Sequence, residues 1–404
     1  MMIRDLRQFF HQNRSFRCLM YVSAMMLIVK VLLLFILPIT PHAIEDWYIA
    51  NNIVSGQGYS LSLGPTALKT PVYPFFLIPF ALFGDLGLSI ASATQHIMWF
   101  FAALAFMRAC SLRFGEKFST LSGFIFALHP AYLYYPFVIE STTLTVPLMI
   151  FYWYGCEFYR KQNHHQYWLM ILGFIIGLCQ PILLPAIFAM QLLYARPLSK
   201  KTLLALCISA FIVFAPWSLR NALTFQKFIP MKSPMWMNVY EGMAPTLSQS
   251  DIAFIENARK THNDVQMEQF YKQVVSKRIN QSPDTYAREC LHRVKEFWLI
   301  PDRYSDRIFE SGILISRIIP QTTLLIASLI AILLLIFRSE AFSEQGPLLW
   351  IMAGTLIYVS LIYALTQAAN IRFKLDVEWL QIVLLFPIFK VLRSKPKKKG
   401  TFLS

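Results

Sequence analysis

Apolar residues in this chain come in long blocks and not in alternation. The first block, "CLMYVSAMMLIVKVLLLFILPI" (18–39), already reaches the roughly 20 residues that a bilayer-spanning helix needs. Others fall near 86–107, 118–136, 139–159, 167–180, 181–195, 201–219, 314–337, 346–366 and 375–393. The fold class this predicts is an all-α polytopic membrane protein with about ten transmembrane helices. The stretch 167–195 reads either as one helix kinked at Pro181 and Pro185 or as two short re-entrant halves. Only 15% of residues are charged, against about 25% in soluble domains, so a soluble reading is hard to sustain.

The formal net charge is +15. In a soluble chain that would suggest nucleic acid. Here the positive-inside rule accounts for it, and no nucleic-acid-binding motif is present. The N-terminal arginines, Arg108/Arg113/Lys117, Arg160/Lys161, Arg196/Lys200/Lys201, Arg338 and the tail "RSKPKKK" all fall on one side if the blocks alternate across the membrane. That side is read as cytoplasmic, with both termini there and an even number of crossings. The expected organisation is a cytoplasmic N-terminus (1–17), a transmembrane core (18–219) with an outer loop at 40–85, and an outer-face polar segment (220–313). C-terminal helices (314–393) and a basic tail (394–404) follow. The first block follows arginines as a signal peptide would, but no small-residue cleavage site follows it, so it is read as a retained helix. Six cysteines without a CxxC indicate neither a zinc site nor a disulfide framework.

The candidate chemistry lies on the outer side. "HAIEDWYIANNIVSGQGYS" (42–60) suits a short surface helix over Ile44 to Val54, closed by glycines. At about 100° per residue, Glu45, Tyr48 and Asn52 share one face and Asp46 points elsewhere. The two acids are therefore not expected to serve one small site. "GPTALKTPVYPFFLIPFALFG" (64–84) carries Lys69, and its prolines rule out a long regular helix. "APWSLRN" (215–221) puts Arg220 where the seventh helix leaves the membrane. "ANIRFKLDVEW" (369–379) puts Arg372 and Lys374 in the last outer loop, ahead of Asp376 and Glu378. Outer-face cations run against the positive-inside bias. Either a bound phosphate or pairing with Asp376, Glu378 or Glu140 accounts for them.

In this order the motifs resemble the GT-C superfamily of integral-membrane glycosyltransferases, in the bacterial branch near the protein O-mannosyltransferases and the lipid A aminoarabinose transferases. The matching features are Glu45 followed by "IANNIVSGQGYS", then "GPTALKTPVYPFFLIPFALFG", "APWSLRN", "FIPM", "RVKEFW" and "RFKLDVEW". They span most of residues 18–390. The chain departs from the pattern at Lys374, where an arginine is usual, at Val377-Glu378-Trp379, which lacks a proline, and in having no sizeable soluble C-terminal domain.

The resemblance implies a sugar donor on a polyprenyl phosphate, transfer with inversion on the outer face, and residence in a bacterial inner membrane. Glu45 would be the catalytic acid, with Asp46 as alternate. Lys69, Arg220, Arg372 and Lys374 would hold the donor phosphate, and Glu140, Tyr48 and Tyr59 would support the site. The partners implied are the lipid-linked sugar and membrane lipids. The acceptor stays open among lipid A, a glycan and a protein. The sequence calls for no cofactor and leaves a divalent metal open. A transporter or lipid flippase and a non-catalytic scaffold are the competing classes. Against the transporter, the acids gather at the outer boundary and no internal repeat is found.

Overall fold

The computed structural model describes residues 1–36, 41–61, 63–162, 167–195, 199–243, 246–299, 317–366 and 371–394. The chain is all-α: the strands among the described residues are two pairs of two-residue segments. Among the described residues, five helices are long and apolar enough to cross a membrane: Arg14–Ile36, Gly84–Phe114, Lys200–Phe225, Ile319–Phe337 and Gly346–Thr366. At about 1.5 Å per residue even the shortest reaches ~28 Å, close to the ~30 Å of a hydrocarbon core. They sort by burial. The most apolar windows of Arg14–Ile36, Lys200–Phe225 and Ile319–Phe337 are 17%, 22% and 28% buried, against 61% and 56% for Gly84–Phe114 and Gly346–Thr366. The first three are therefore peripheral and the last two central.

Several expected spans are shorter or divided, and proline explains most of the breaks. The stretch 167–195 forms two helices, Tyr167–Cys179 and Leu184–Tyr194, with a 3-10 turn at Pro181–Leu183 between them. Gln180 is extended there (φ −134°, ψ 91°), as a residue before proline prefers. His129 (φ −62°, ψ 118°) likewise ends Glu116–Ala127 ahead of the short helix Pro130–Tyr134. The last block is also split, into Ile371–Val383 and Phe386–Arg393 with Pro387 in the second first turn. The proline-rich stretch does form a helix, but a short one, Val72–Ala81, following Pro71 and carrying Pro79 near its end.

The core packs Gly87–Phe114 against Glu116–Ala127 and Thr142–Lys161, with Ile371–Val383 against them. Aromatic contacts join these helices: Phe106 stacks on Phe126 at 4.7 Å, and Trp153 meets Trp379 at 5.7 Å. A Cβ at Gly123 would stand 2.9 Å from Met107, so glycine permits the close approach of two of these helices. A smaller core (Trp47, Tyr73, Leu77, Ala91, Ile139) ties Glu45–Val54 and Val72–Ala81 to the end of the bundle where the helix from Gly87 begins.

The polar segment forms its own helical unit on that end. Trp236–Met243, Gln249–Arg259 and Asp264–Gln281 enclose Tyr240, Ile255, Met267 and Val275. Asn263 and Gln266 form a capping box at the start of the last helix. Pro283–Trp298 leads back to the bundle, where Phe297 stacks on Tyr363 and Trp298 Nε1 donates to Ser360 Oγ at 2.9 Å.

Candidate functional site

A cavity of about 160 Å³ lies between the helical unit and the bundle. Backbone register builds its acidic wall. His42–Ala43 pairs in parallel with Val138–Ile139, His42 opposite Val138 and Ala43 opposite Ile139. The next residues on each strand then run side by side into the cavity, so Glu45, Asp46 and Glu140 line it together. Glu140 is buried and accepts a hydrogen bond from the Tyr135 hydroxyl. Its loop is fixed from behind. Gln95 Nε2 donates to the Pro136 and Val138 carbonyls at 3.0 and 3.1 Å, and Thr143 Oγ1 donates to the Glu140 carbonyl at 2.6 Å.

Glu45 and Asp46 open the helix Glu45–Val54, where negative charge suits the dipole. The expectation that they could not share a site is overturned. Lys69 Nζ lies 3.4 Å from Glu45 and 3.7 Å from Asp46. Side chains about 100° apart at the helix start thus both come within ion-pair distance of one flexible lysine ammonium. The two acids differ in burial: the Asp46 side chain is 3% exposed and that of Glu45 47%.

Three devices hold Lys69 in place. The Tyr59 hydroxyl donates to the carbonyls of Lys69 and Thr70, both at 3.1 Å. Burial, then the charge of Asp46, keeps that phenol well above its ordinary pKa, so it remains a donor. Thr70 Oγ1 donates to the Cys179 carbonyl at 3.0 Å, taking up a group freed by the break at Gln180. Asp264, in the first turn of its helix, accepts from Ala67 N at 2.9 Å, Thr66 Oγ1 at 3.2 Å and Ser233 Oγ at 3.1 Å.

Arg220 lies within the helix Lys200–Phe225, which runs past the expected exit at 219. Its guanidinium donates to the Thr66 and Tyr59 carbonyls at 2.8 and 2.9 Å and sits 5.0 Å from the Trp217 ring. It braces the Lys69 loop and does not line the cavity. Lys374 is not in an outer loop either. It is 1% exposed inside the helix Ile371–Val383, 3.9 Å from Glu378, which Arg317 also meets at 3.0 Å and His129 at 3.8 Å. Here pairing, and not a phosphate site, accounts for the lysine. Tyr48 is exposed and does not line the cavity. The side chain of Arg372, residues 300–313 of the polar segment and the tail from 395 lie outside the described residues.

Sequence reasoning missed the opposite wall. Lys232, Asn238 and Glu241 line the cavity from the helical unit. Lys232 follows the "FIPM" motif directly, which was the available signal. Its side chain is exposed at the rim while protein crowds its other sides. That crowding, then the Lys69 charge, pushes its pKa down to about 8. Partial burial raises Glu241; Arg259 opposes the rise and Glu45 adds to it. Glu268 fixes this wall by accepting from the backbone N–H groups of Met235, Trp236 and Met237 at 3.1, 2.8 and 3.0 Å, capping their helix. Gln180, also lining the cavity, donates to Asp376 at 2.6 Å.

Among the described residues, no group of three or more histidines, cysteines or acids is placed to hold a metal. No family model matches the chain, and no curated protein or solved structure matches it either.

Proposed function

We propose that this protein is a GT-C-type glycosyltransferase, moving a sugar from a polyprenyl-phosphate donor to an acceptor hydroxyl or amine. In this reading the bundle crosses the membrane about ten times, its shorter helices included, and the cavity end faces outward. The observation that carries the reading is the meeting of Glu45, Asp46 and Lys69 in one cavity at the end of an apolar bundle. Catalytic acids of a lipid-dependent transferase belong at such a boundary, within reach of both a lipid phosphate and a water-borne acceptor.

Glu45 is the base, being the acid with access to incoming groups. It takes the acceptor proton as the acceptor oxygen or nitrogen bonds to the anomeric carbon. The bond from that carbon to the phosphate oxygen breaks, and the electron pair leaves on the lipid phosphate. Lys69 and Lys232 face that developing charge from opposite walls. Lys69 also offsets the repulsion between Glu45 and Asp46, and the buried Asp46 holds it in position.

The test is transfer of labelled sugar from a polyprenyl-phosphate donor into an envelope fraction, with wild-type protein and Glu45→Gln in matched amounts. Incorporation with wild type and its loss in the variant are expected. Equal incorporation by both would reject Glu45 as the base.

A further inference from the structure

A second cavity lies far from the first. It is an apolar groove of about 840 Å³ between Glu116–Ala127, Ile319–Phe337 and Phe386–Arg393, within the roughly 300–1,000 Å³ of ligand clefts. Leu121, Phe124, Leu324 and Phe389 line its length. Lys117 and Arg393 stand at one end and His129 and Pro130 at the other. From Lys117 to Leu128 the groove follows its helix for ~16 Å at about 1.5 Å per residue. The cationic end is opposite the acidic cavity, because Gly87–Phe114 runs ~42 Å from one to the other before the chain reaches Lys117.

Three arginines on that side are already committed to carboxylates. Arg108 is bound to Asp5, and Arg113 and Arg160 to Glu157. Lys117 and Arg393 form no ion pair among the described residues, and both are exposed. Lys117 also sits in the first turn of its helix, where the dipole disfavours a cation. Arg393 stacks over Phe389 at 4.5 Å, which sets its guanidinium at the groove mouth. The sequence then adds Lys395, Lys397, Lys398 and Lys399.

We propose that this groove is a seat for a membrane phospholipid of net negative headgroup. Its acyl chain lies along Leu121 and Phe124, and its phosphate is held by Lys117 and Arg393. An apolar slot of this length takes a chain, and paired cations at one end take a phosphate. This seat is independent of the transferase reading.

The test is native mass spectrometry of the detergent-purified full chain with phosphatidylglycerol or phosphatidylethanolamine of identical chains. Phosphatidylglycerol adducts should be retained at least several-fold better. Lys117→Ala with Arg393→Ala should abolish that preference, and Lys117→Arg should keep it. Leu121→Trp, which fills the slot, should lower retention of both lipids. Lys161→Ala with Lys200→Ala, which removes the same charge outside the groove, should leave the preference intact. No preference in the wild type, a preference unchanged in the Lys117/Arg393 variant, or equal loss in the Lys161/Lys200 control overturns the proposal.

Discussion

Glu45→Gln and Asp46→Asn should fail in opposite ways. Glu45 is 3.4 Å from Lys69 with a side chain 47% exposed. Pairs of that exposure contribute about 0.2–1 kcal/mol, so Glu45→Gln should unfold within about 1 kcal/mol of wild type. Asp46 is 3.7 Å from the same lysine but 3% exposed. Breaking a fully buried pair costs about 3–5 kcal/mol. Lys69 is 23% exposed and keeps Glu45, which lowers the expected loss for Asp46→Asn to about 1–3 kcal/mol. On rate the order reverses. A positioned general base contributes about 10²–10⁴-fold, or ~3–5 kcal/mol of barrier. Both variants, purified in one detergent, should be followed by denaturant unfolding and by sugar transfer. If Glu45→Gln kept its rate, or unfolded as readily as Asp46→Asn, the division of roles would be wrong.

Arg220→Ala should destabilise the protein by about 2–4 kcal/mol through three lost charged hydrogen bonds, to Thr66, Tyr59 and Asn221, and the lost contacts with the Tyr59, Trp217 and Phe225 rings. A variant that unfolds normally but no longer binds donor would return Arg220 to the phosphate site. Lys374→Met should cost about 3 kcal/mol of stability, since Glu378 loses one of its buried cations; unfolding midpoints measure it, and an unshifted midpoint counts against the pairing. Tyr59→Phe loses the hydroxyl that holds the Lys69 and Thr70 carbonyls and should cost about 1–2 kcal/mol, with faster hydrogen exchange across 66–70. Because Lys232 is pushed down to about 8, its positive charge is present below that pH and lost above it. Donor KM should therefore rise as pH passes through about 8, and Lys232→Arg should flatten the rise. A KM independent of pH in wild type would remove Lys232 from the phosphate site.

The helices were legible because apolar blocks of bilayer length leave few other folds open. Their interruptions were legible only where proline marked them. Pro181 signalled a break, but the use of the carbonyl freed there depends on Thr70, more than a hundred residues earlier. The acid at Glu45 and the lysine at Lys69 could be picked from sequence because a short helix and proline turns fix them locally. Their convergence could not, since it rests on distant contacts that hold the Lys69 loop, the Thr70 hydroxyl on the Cys179 carbonyl and Asp264 on Ala67 N. Helical periodicity misjudged Asp46 because it describes a helix middle, and both acids sit at a helix start. Arg220 and Lys374 looked alike as outer-face cations. What separates them from Lys69 is burial and partner choice, which are properties of packing. Lys232 escaped notice because the long polar segment holding it has no apolar period to orient its side chains.

The most direct test of the central claim is photo-crosslinking with a polyprenyl phosphate whose sugar carries a photoreactive group. With the purified full chain in vesicles, the account predicts labelling within 45–46, 68–70 and 232–241, competed by unlabelled polyprenyl phosphate and weakened in Lys69→Met. Labelling confined to other segments, or uncompeted labelling spread over the chain, would contradict it.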